Sequence, residues 1–375
     1  MPVTSGAATP LTSRPLGSLG ERVADVRRIA VLRANSIGDF VLSLPALDAL
    51  RSAYPEAQLT VLGAAWHQDA LANRPGPWTH VIAVPPYPGL SGQVPNDATP
   101  GLSASREFFD QQQRCAYDLA VQLHGGGARS NPFVAELGAR VTVGACDDGV
   151  PPLDRCIHYS ANQHETLRCL EVVAQVGAVP VTLEPRLTVV DEDRAAAAAA
   201  LPRSERPVVV LHPGANDPRR RWSPERFATV ARSLVADGCD VVVVGAGADD
   251  ECAAERILRA GPPAAGHHLT SLVGSLSFSA LLGVLEGATL VVSNDSGPRH
   301  LAAAVGTATV SVYWVGNLLT AGPLSRDRQR ALVSYRAGCP VCGEDQTDVR
   351  CPHDESFVDD VPADAVLAQA RSLLG

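Results

Sequence analysis

Short, uniformly apolar runs alternate along most of the chain with stretches that carry apolar residues at helical spacing. In the first half IAVLR (29–33), QLTVLG (58–63), HVIAV (80–84), DLAVQLH (118–124) and RVTVG (140–144) read as strands. They are too continuously apolar for a sheet with one wet face. A helix, LRCLEVVAQVG, closes at Gly177, and a second series then begins. VVVLH (208–212), DVVVVG (240–245), LVVSND (290–295) and TVSVYW (309–314) read as strands, with helices over 223–237, 249–260, 277–287 and 297–305. Buried strands separated by helices predict a parallel sheet covered on both faces, and two such series predict an α/β protein of two tandem Rossmann-like domains facing a central cleft.

The rest of the chain sets the boundaries. Residues 1–21 are rich in Pro, Ser, Thr and Gly with no continuous apolar stretch, and read as a disordered leader. An N-terminal domain then spans 22–190, a linker 191–206, a C-terminal domain 207–335, and a cysteine-containing tail with a last helix 336–375. A Pro/Gly/Ser loop over 85–105 is long enough to expect a function for it. No apolar run approaches the roughly 20 residues that span a bilayer, so a cytoplasmic location is expected. The formal charge of −9 argues against nucleic acid as a partner. All 31 basic residues are arginine, so any phosphate must be held by Arg, backbone amides or helix ends. Nine scattered cysteines suggest reduced thiols, not a disulfide framework.

Three strand-to-helix turns carry candidate chemistry. NSIGDFVLSLPAL places Asp39 at the start of a helix, as a helix cap or as a base. LHPGANDPRRRWSPERF sets Arg219, Arg220 and Arg221 just before a helix whose N-cap is Ser223, where amides and dipole already favour an anion; alone, the three would also suit a solvated turn. SNDSGPRHLAAAVGT ends a buried strand in small residues that leave helix amides open, with His300 in the first turn.

The order and spacing of these three motifs resemble the ADP-heptose heptosyltransferase family, glycosyltransferase family 9, whose fold is GT-B. The resemblance implies an inverting, metal-independent sugar transfer without a cofactor. A nucleotide-diphospho-sugar donor would bind mainly to the C-terminal domain, and a glycan or glycolipid acceptor, reached at the inner membrane face, to the N-terminal one. By motif, Asp39 corresponds to the catalytic base and Arg220 to a phosphate-binding lysine. Asp295, Ser296, Gly297 and His300 correspond to the donor turn, and Asp249 with Asp250 to the ribose carboxylate. Arg220 and Asp295 would then serve opposite parts of one donor. The last helix, 362–374, would return to the N-terminal domain. Two other readings are a sugar-nucleotide epimerase of the same fold and a sugar-nucleotide-binding protein without transfer.

Other features read differently. DED (191–193) imitates a metal-binding D-x-D but precedes a polyalanine helix, where acids cap routinely. GAGADD from Gly245 is only a partial G-x-G-x-x-G. LHGGGARSN makes His124 either an acceptor contact or part of a structural turn. Cys339, Cys342, Cys351 and His353 either close a tetrahedral metal site or remain free thiols and an imidazole, since their spacing forms no recognised pattern.

Overall fold

The computed structural model describes residues 19–71, 73–90, 102–201, 204–260, 268–347 and 350–375. The described strands form two six-stranded parallel sheets. The first comprises β1 (Arg28–Leu32), β2 (Gln58–Gly63), β3 (His80–Ala83), β4 (Leu119–Gln122), β5 (Val141–Cys146) and β6 (Arg155–His158), in the order β3-β2-β1-β4-β5-β6. The second comprises β7 (Val208–His212), β8 (Asp240–Val243), β9 (Leu269–Ser271), β10 (Leu290–Asn294), β11 (Ala308–Trp314) and β12 (Gln329–Ser334), in the order β12-β11-β10-β7-β8-β9. The first sheet carries α1 (Ile37–Ala53), α2 (Ala65–Leu71), α3 (Leu102–Arg114), α4 (Ser130–Glu136) and α5 (Glu165–Ala174). After α6 (Asp191–Ala200) come α7 (Pro224–Ala236), α8 (Ala248–Arg259), α9 (Phe278–Gly287), α10 (Gly297–Ala304), α11 (Val315–Ala321) and α12 (Ala363–Leu374).

Central strands are buried along nearly their whole length because helices cover both faces. Three strands have no counterpart in the apolar pattern: β6, β9 and β12. They lie at or next to sheet edges, are short or half-exposed, and so need no continuous apolar run. One apolar cluster joins the facing sides of the two sheets, with Leu44, Leu47 and Val173 on one side and Val210, Leu282 and Leu301 on the other.

Four expectations change. The stretch 191–206 is no plain linker: α6 packs along α9, and Gly283 approaches the Asp193 backbone so closely that a Cβ there would lie 2.3 Å from its carbonyl oxygen. The last helix, α12, does not return to the N-terminal domain. Val366, Leu367 and Ala370 enter the core of the second sheet beside α7, and Arg371 pairs with Asp237 at 2.7 Å. An amphipathic pattern fixes a buried face but not its partner. Residues 1–18 of the leader lie outside the described residues, while Gly20 donates from its amide to the Ala174 carbonyl at 2.8 Å and so belongs to the fold. Cys146 and Cys156 form a disulfide, contrary to the reduced-thiol reading; the pairing of β5 with β6 brings their Cα atoms to 5.9 Å. Of the loop 85–105, residues 91–101 lie outside the described ones.

Candidate active site

Each sheet reverses its winding direction once, between β1 and β4 in the first and between β7 and β10 in the second. Such switch points open a crevice at the carboxyl ends of the strands. The two crevices face each other across a cleft of about 1080 Å³ whose walls include Ser36, Asp39, His212, Arg220, Asp249, Asp250, Asp295, Ser296, Gly297 and His300. Every residue that the resemblance assigns to the donor, and Asp39, therefore lines one cavity.

On the N-terminal wall, β1 is followed by Arg33, whose side chain is only 1% exposed. Its Nε donates to the Asp39 carbonyl at 3.0 Å, Nη1 reaches the Leu123 carbonyl, and Nη2 lies 2.7 Å from Glu165 Oε1 and 3.5 Å from Asp39 Oδ1. Glu165 also pairs with Arg168. The Ser36 hydroxyl donates to Asp39 Oδ2 at 2.9 Å. Asp39 sits inside the first turn of α1, which begins at Ile37, and 39% of its side chain stays exposed to the cleft. Its recorded side-chain partners are a hydroxyl and a guanidinium, so it is not a simple N-cap. Arg33 and Glu165 were not singled out in the sequence. The signal for Arg33 was a cation ending an otherwise apolar strand; Glu165 had none, because 132 residues separate the pair.

On the C-terminal wall the three arginines diverge. Arg219 folds back onto Asp217 at 2.6 Å, Arg220 Nη1 meets Asp295 Oδ2 at 3.1 Å, and Arg221 Nη1 meets Asp249 Oδ2 at 2.8 Å. Only Arg220 and Arg221 line the cleft, so the three do not act together on one anion. Trp222 fixes the turn: fully buried, it donates from its amide to Asn294 Oδ1 and from Nε1 to the Val361 carbonyl. The contact between Arg220 and Asp295 also corrects the expectation that they serve opposite ends of a donor.

Asp295 is buried, and its Oδ1 lies 3.2 Å from His300 Nε2. Arg299 can only donate, and it lies 3.2 Å from His300 Nδ1; the proton of the neutral ring is therefore on Nε2, directed at Asp295. Burial, opposed by Asp295, pushes the His300 pKa below its ordinary value. Burial would raise that of Asp295, but the His300 hydrogen bond and the charges of Arg220 and Arg299 hold it low. Ser296 turns its hydroxyl to His212 Nδ1 at 2.9 Å and makes no side-chain cap, so the first amides of α10 face the cleft without one. Asp249 is exposed on the rim. Asp250 points inward, accepting from the Ala246 amide at 2.8 Å and lying 3.7 Å from His212 Nε2.

The two walls touch where the N-termini of α1 and α10 meet. A Cβ on Gly38 would lie 2.9 Å from the His300 ring, and one on Gly297 would lie 3.2 Å from the Ile37 Cβ. Hydrogen-bond bridges between the domains add to this contact: His164 Nε2 meets the Gly322 carbonyl at 2.8 Å, and Leu187 donates to the Ala304 carbonyl.

His124, read as an acceptor contact or part of a structural turn, does not line the cleft. Its Nδ1 accepts from the Ala34 amide and its Nε2 meets the Gly89 carbonyl at 3.1 Å, so both ring nitrogens are engaged beneath the loop and the acceptor-contact reading loses its support. The DED acids open α6, where Asp193 accepts from the Val190 amide and forms a buried pair with Arg74.

A pair of Rossmann-like sheets facing a cleft, with arginines and open helix amides on one wall and a carboxylate on the other, is the GT-B architecture. Residues 106–351 match the family described as Glycosyltransferase family 9 (heptosyltransferase), and the chain belongs to that family. It is 30% identical over 304 residues to lipooligosaccharide heptosyltransferase 2 of Haemophilus influenzae, covering 76% of this chain and 82% of that protein. The structure of E. coli ADP-heptose LPS heptosyltransferase II superposes with a TM-score of 0.72 at 21% identity, over 92% of this chain and 98% of that one. A family 9 glycosyl transferase from Veillonella parvula gives 0.74 at 20% identity, over 95% and 98%. These relatives support transfer and not epimerisation. Among the described residues no helix is long and apolar enough to cross a membrane.

Proposed function

We propose that this glycosyltransferase moves heptose from ADP-heptose to the saccharide of a lipopolysaccharide or lipooligosaccharide core, working in the cytoplasm on a glycolipid presented at the membrane face. The observation that carries the reading is that Asp39 and the Arg220–Asp295–His300 chain line one cleft from opposite walls. The relatives' names supply the donor and acceptor class.

In this reading the acceptor hydroxyl gives its proton to Asp39 as its oxygen attacks the anomeric carbon. The bond from that carbon to the phosphate oxygen breaks, and ADP leaves with the electron pair. Arg220 and the open amides of α10 meet the charge that develops on the diphosphate. Arg33 and Ser36 hold the carboxylate toward the cleft.

Two measurements test this. ADP should be released from ADP-heptose only when a core acceptor is present; release without acceptor would overturn transfer as the reaction, and binding with no transfer would return the chain to the binding-only alternative. Asp39→Asn should lower turnover on the order of 10²-fold or more with ADP affinity nearly unchanged. Near-normal turnover in that variant removes Asp39 as the base.

A further inference from the structure

Outside the cleft, four side chains converge with no role in transfer. Cys339, Cys342, Cys351 and His353 each offer a donor atom, and these atoms lie within 4.8 Å of one another. A tetrahedral ion bound by thiolates and an imidazole would hold sulfur and nitrogen about 3.6 Å apart. Cys339 Sγ lies 3.7 Å from His353 Nδ1. The backbone is shaped accordingly. Gly343, at φ 78°, lets the chain double back, so that its amide donates to the Cys339 carbonyl at 2.9 Å and the Cys339 amide to the Glu344 carbonyl at 2.8 Å. The Val341 amide points at Cys339 Sγ at 3.4 Å.

The surrounding segment has little else to fold around. Among the described residues its apolar cluster holds only Cys339, Cys351 and Phe357, with Trp314 against it. A small element without a core is where a metal supplies folding free energy. We propose that Cys339, Cys342, Cys351 and His353 bind one thiophilic transition-metal ion, with Zn²⁺ the occupant that three thiolates and one imidazole favour.

The site has a structural consequence for the donor turn. Gln346 Oε1 accepts from the Cys351 amide at 3.0 Å and from Arg219 Nη1 at 3.2 Å. The Phe357 amide donates to the Arg219 carbonyl at 2.7 Å, one residue from Arg220. An ion bound there would tether the arginine turn from behind. This coupling rests on the donor reading above; the metal site does not.

The experiment is elemental analysis of the full chain purified without oxygen or chelator. About one ion per chain is expected. It should be lost in Cys339→Ser and in Cys351→Ser and kept in Cys252→Ser, which alters an exposed cysteine elsewhere. Cobalt exchanged into the site should show the intense visible absorption of tetrahedral thiolate ligation. One equivalent of iron with thiolate charge-transfer colour upholds the site with a different occupant. If wild-type protein carries less than about a tenth of an equivalent and takes up no Zn²⁺ against a chromophoric chelator, or if both serine variants keep their metal, the site is wrong. Metal-free Cys351→Ser should bind ADP on the order of tenfold more weakly; unchanged affinity there overturns the tether and leaves the metal result standing.

Discussion

The Arg220 guanidinium lies 3.1 Å from a carboxylate that is itself 3.2 Å from the His300 ring, and this chain of three determines what each member can offer a diphosphate. Asp295 is buried with both oxygens engaged, so it acts through Arg220 as a positioning residue and has little left for a sugar hydroxyl. Arg220→Ala should weaken ADP binding by roughly 1.5 to 3 kcal/mol and also destabilise the fold, because it strands part of a buried charge. Arg220→Lys should recover much of the binding, since one nitrogen makes the contact with Asp295. Asp295→Ala should weaken ADP and ADP-heptose by the same factor in calorimetric titration. A larger loss for ADP-heptose would return Asp295 to the sugar. The sequence pointed to these residues by motif but not to their mutual contact, because Arg220 and Asp295 leave different strands and meet only when β7 and β10 pair.

At the scale of elements, the contact between α1 and α10 sets how closely the two walls approach. Both helix starts carry glycine, and helix propensity alone would favour alanine at each by up to about 1 kcal/mol. The His300 ring 2.9 Å from a Gly38 Cβ is held at both nitrogens and cannot yield freely, and overpacking costs about 1–3 kcal/mol. Gly38→Ala should therefore reduce ADP affinity several-fold, with no gain in stability. Gly287→Ala, where a Cβ meets open space at the end of α9, should leave both unchanged or raise stability. Denaturant titration with and without ADP measures this, and a Gly38→Ala protein more stable than wild type with normal ADP affinity would refute it. Legibility follows the same physics. Continuous apolar runs exposed the central strands, and Ser223 exposed the start of α7. Edge strands, the docking partner of α12 and the Arg33–Glu165 link depend on contacts between distant segments, which a local pattern does not encode.

Across the whole molecule, one apolar cluster runs through both facing sides, so acid should act on the two sheets together. Four buried histidines carry the argument. Burial, reinforced by Arg33, lowers the His124 pKa to about 4, and burial lowers that of His67 to about 3; those of His164 and His300 are also lowered, mainly by burial. Each is held neutral in the fold but would protonate near pH 6.5 once unfolded, so the unfolded chain binds more protons below that value. Stability is full above about pH 6.5 and falls as pH drops toward 4. Each such group gives a limiting slope of about 1.4 kcal/mol per pH unit, and His67 and His124 together give a limit of about 2.8 kcal/mol per unit. The carboxylates of Asp193, Asp217, Asp250 and Asp295 act in a separate window. Each overcomes a burial penalty through hydrogen bonds and cationic partners that hold its pKa below 3.8, so their contribution is present above that value and is lost only as pH falls further. Urea midpoints should stay level from pH 7.5 to about 6.5 and fall from there to pH 4.5, and His124→Gln should flatten part of the slope. A midpoint that stays level over that range would mean that these imidazoles are not held neutral, and with them the directed Nε2 proton of His300 would lose its support.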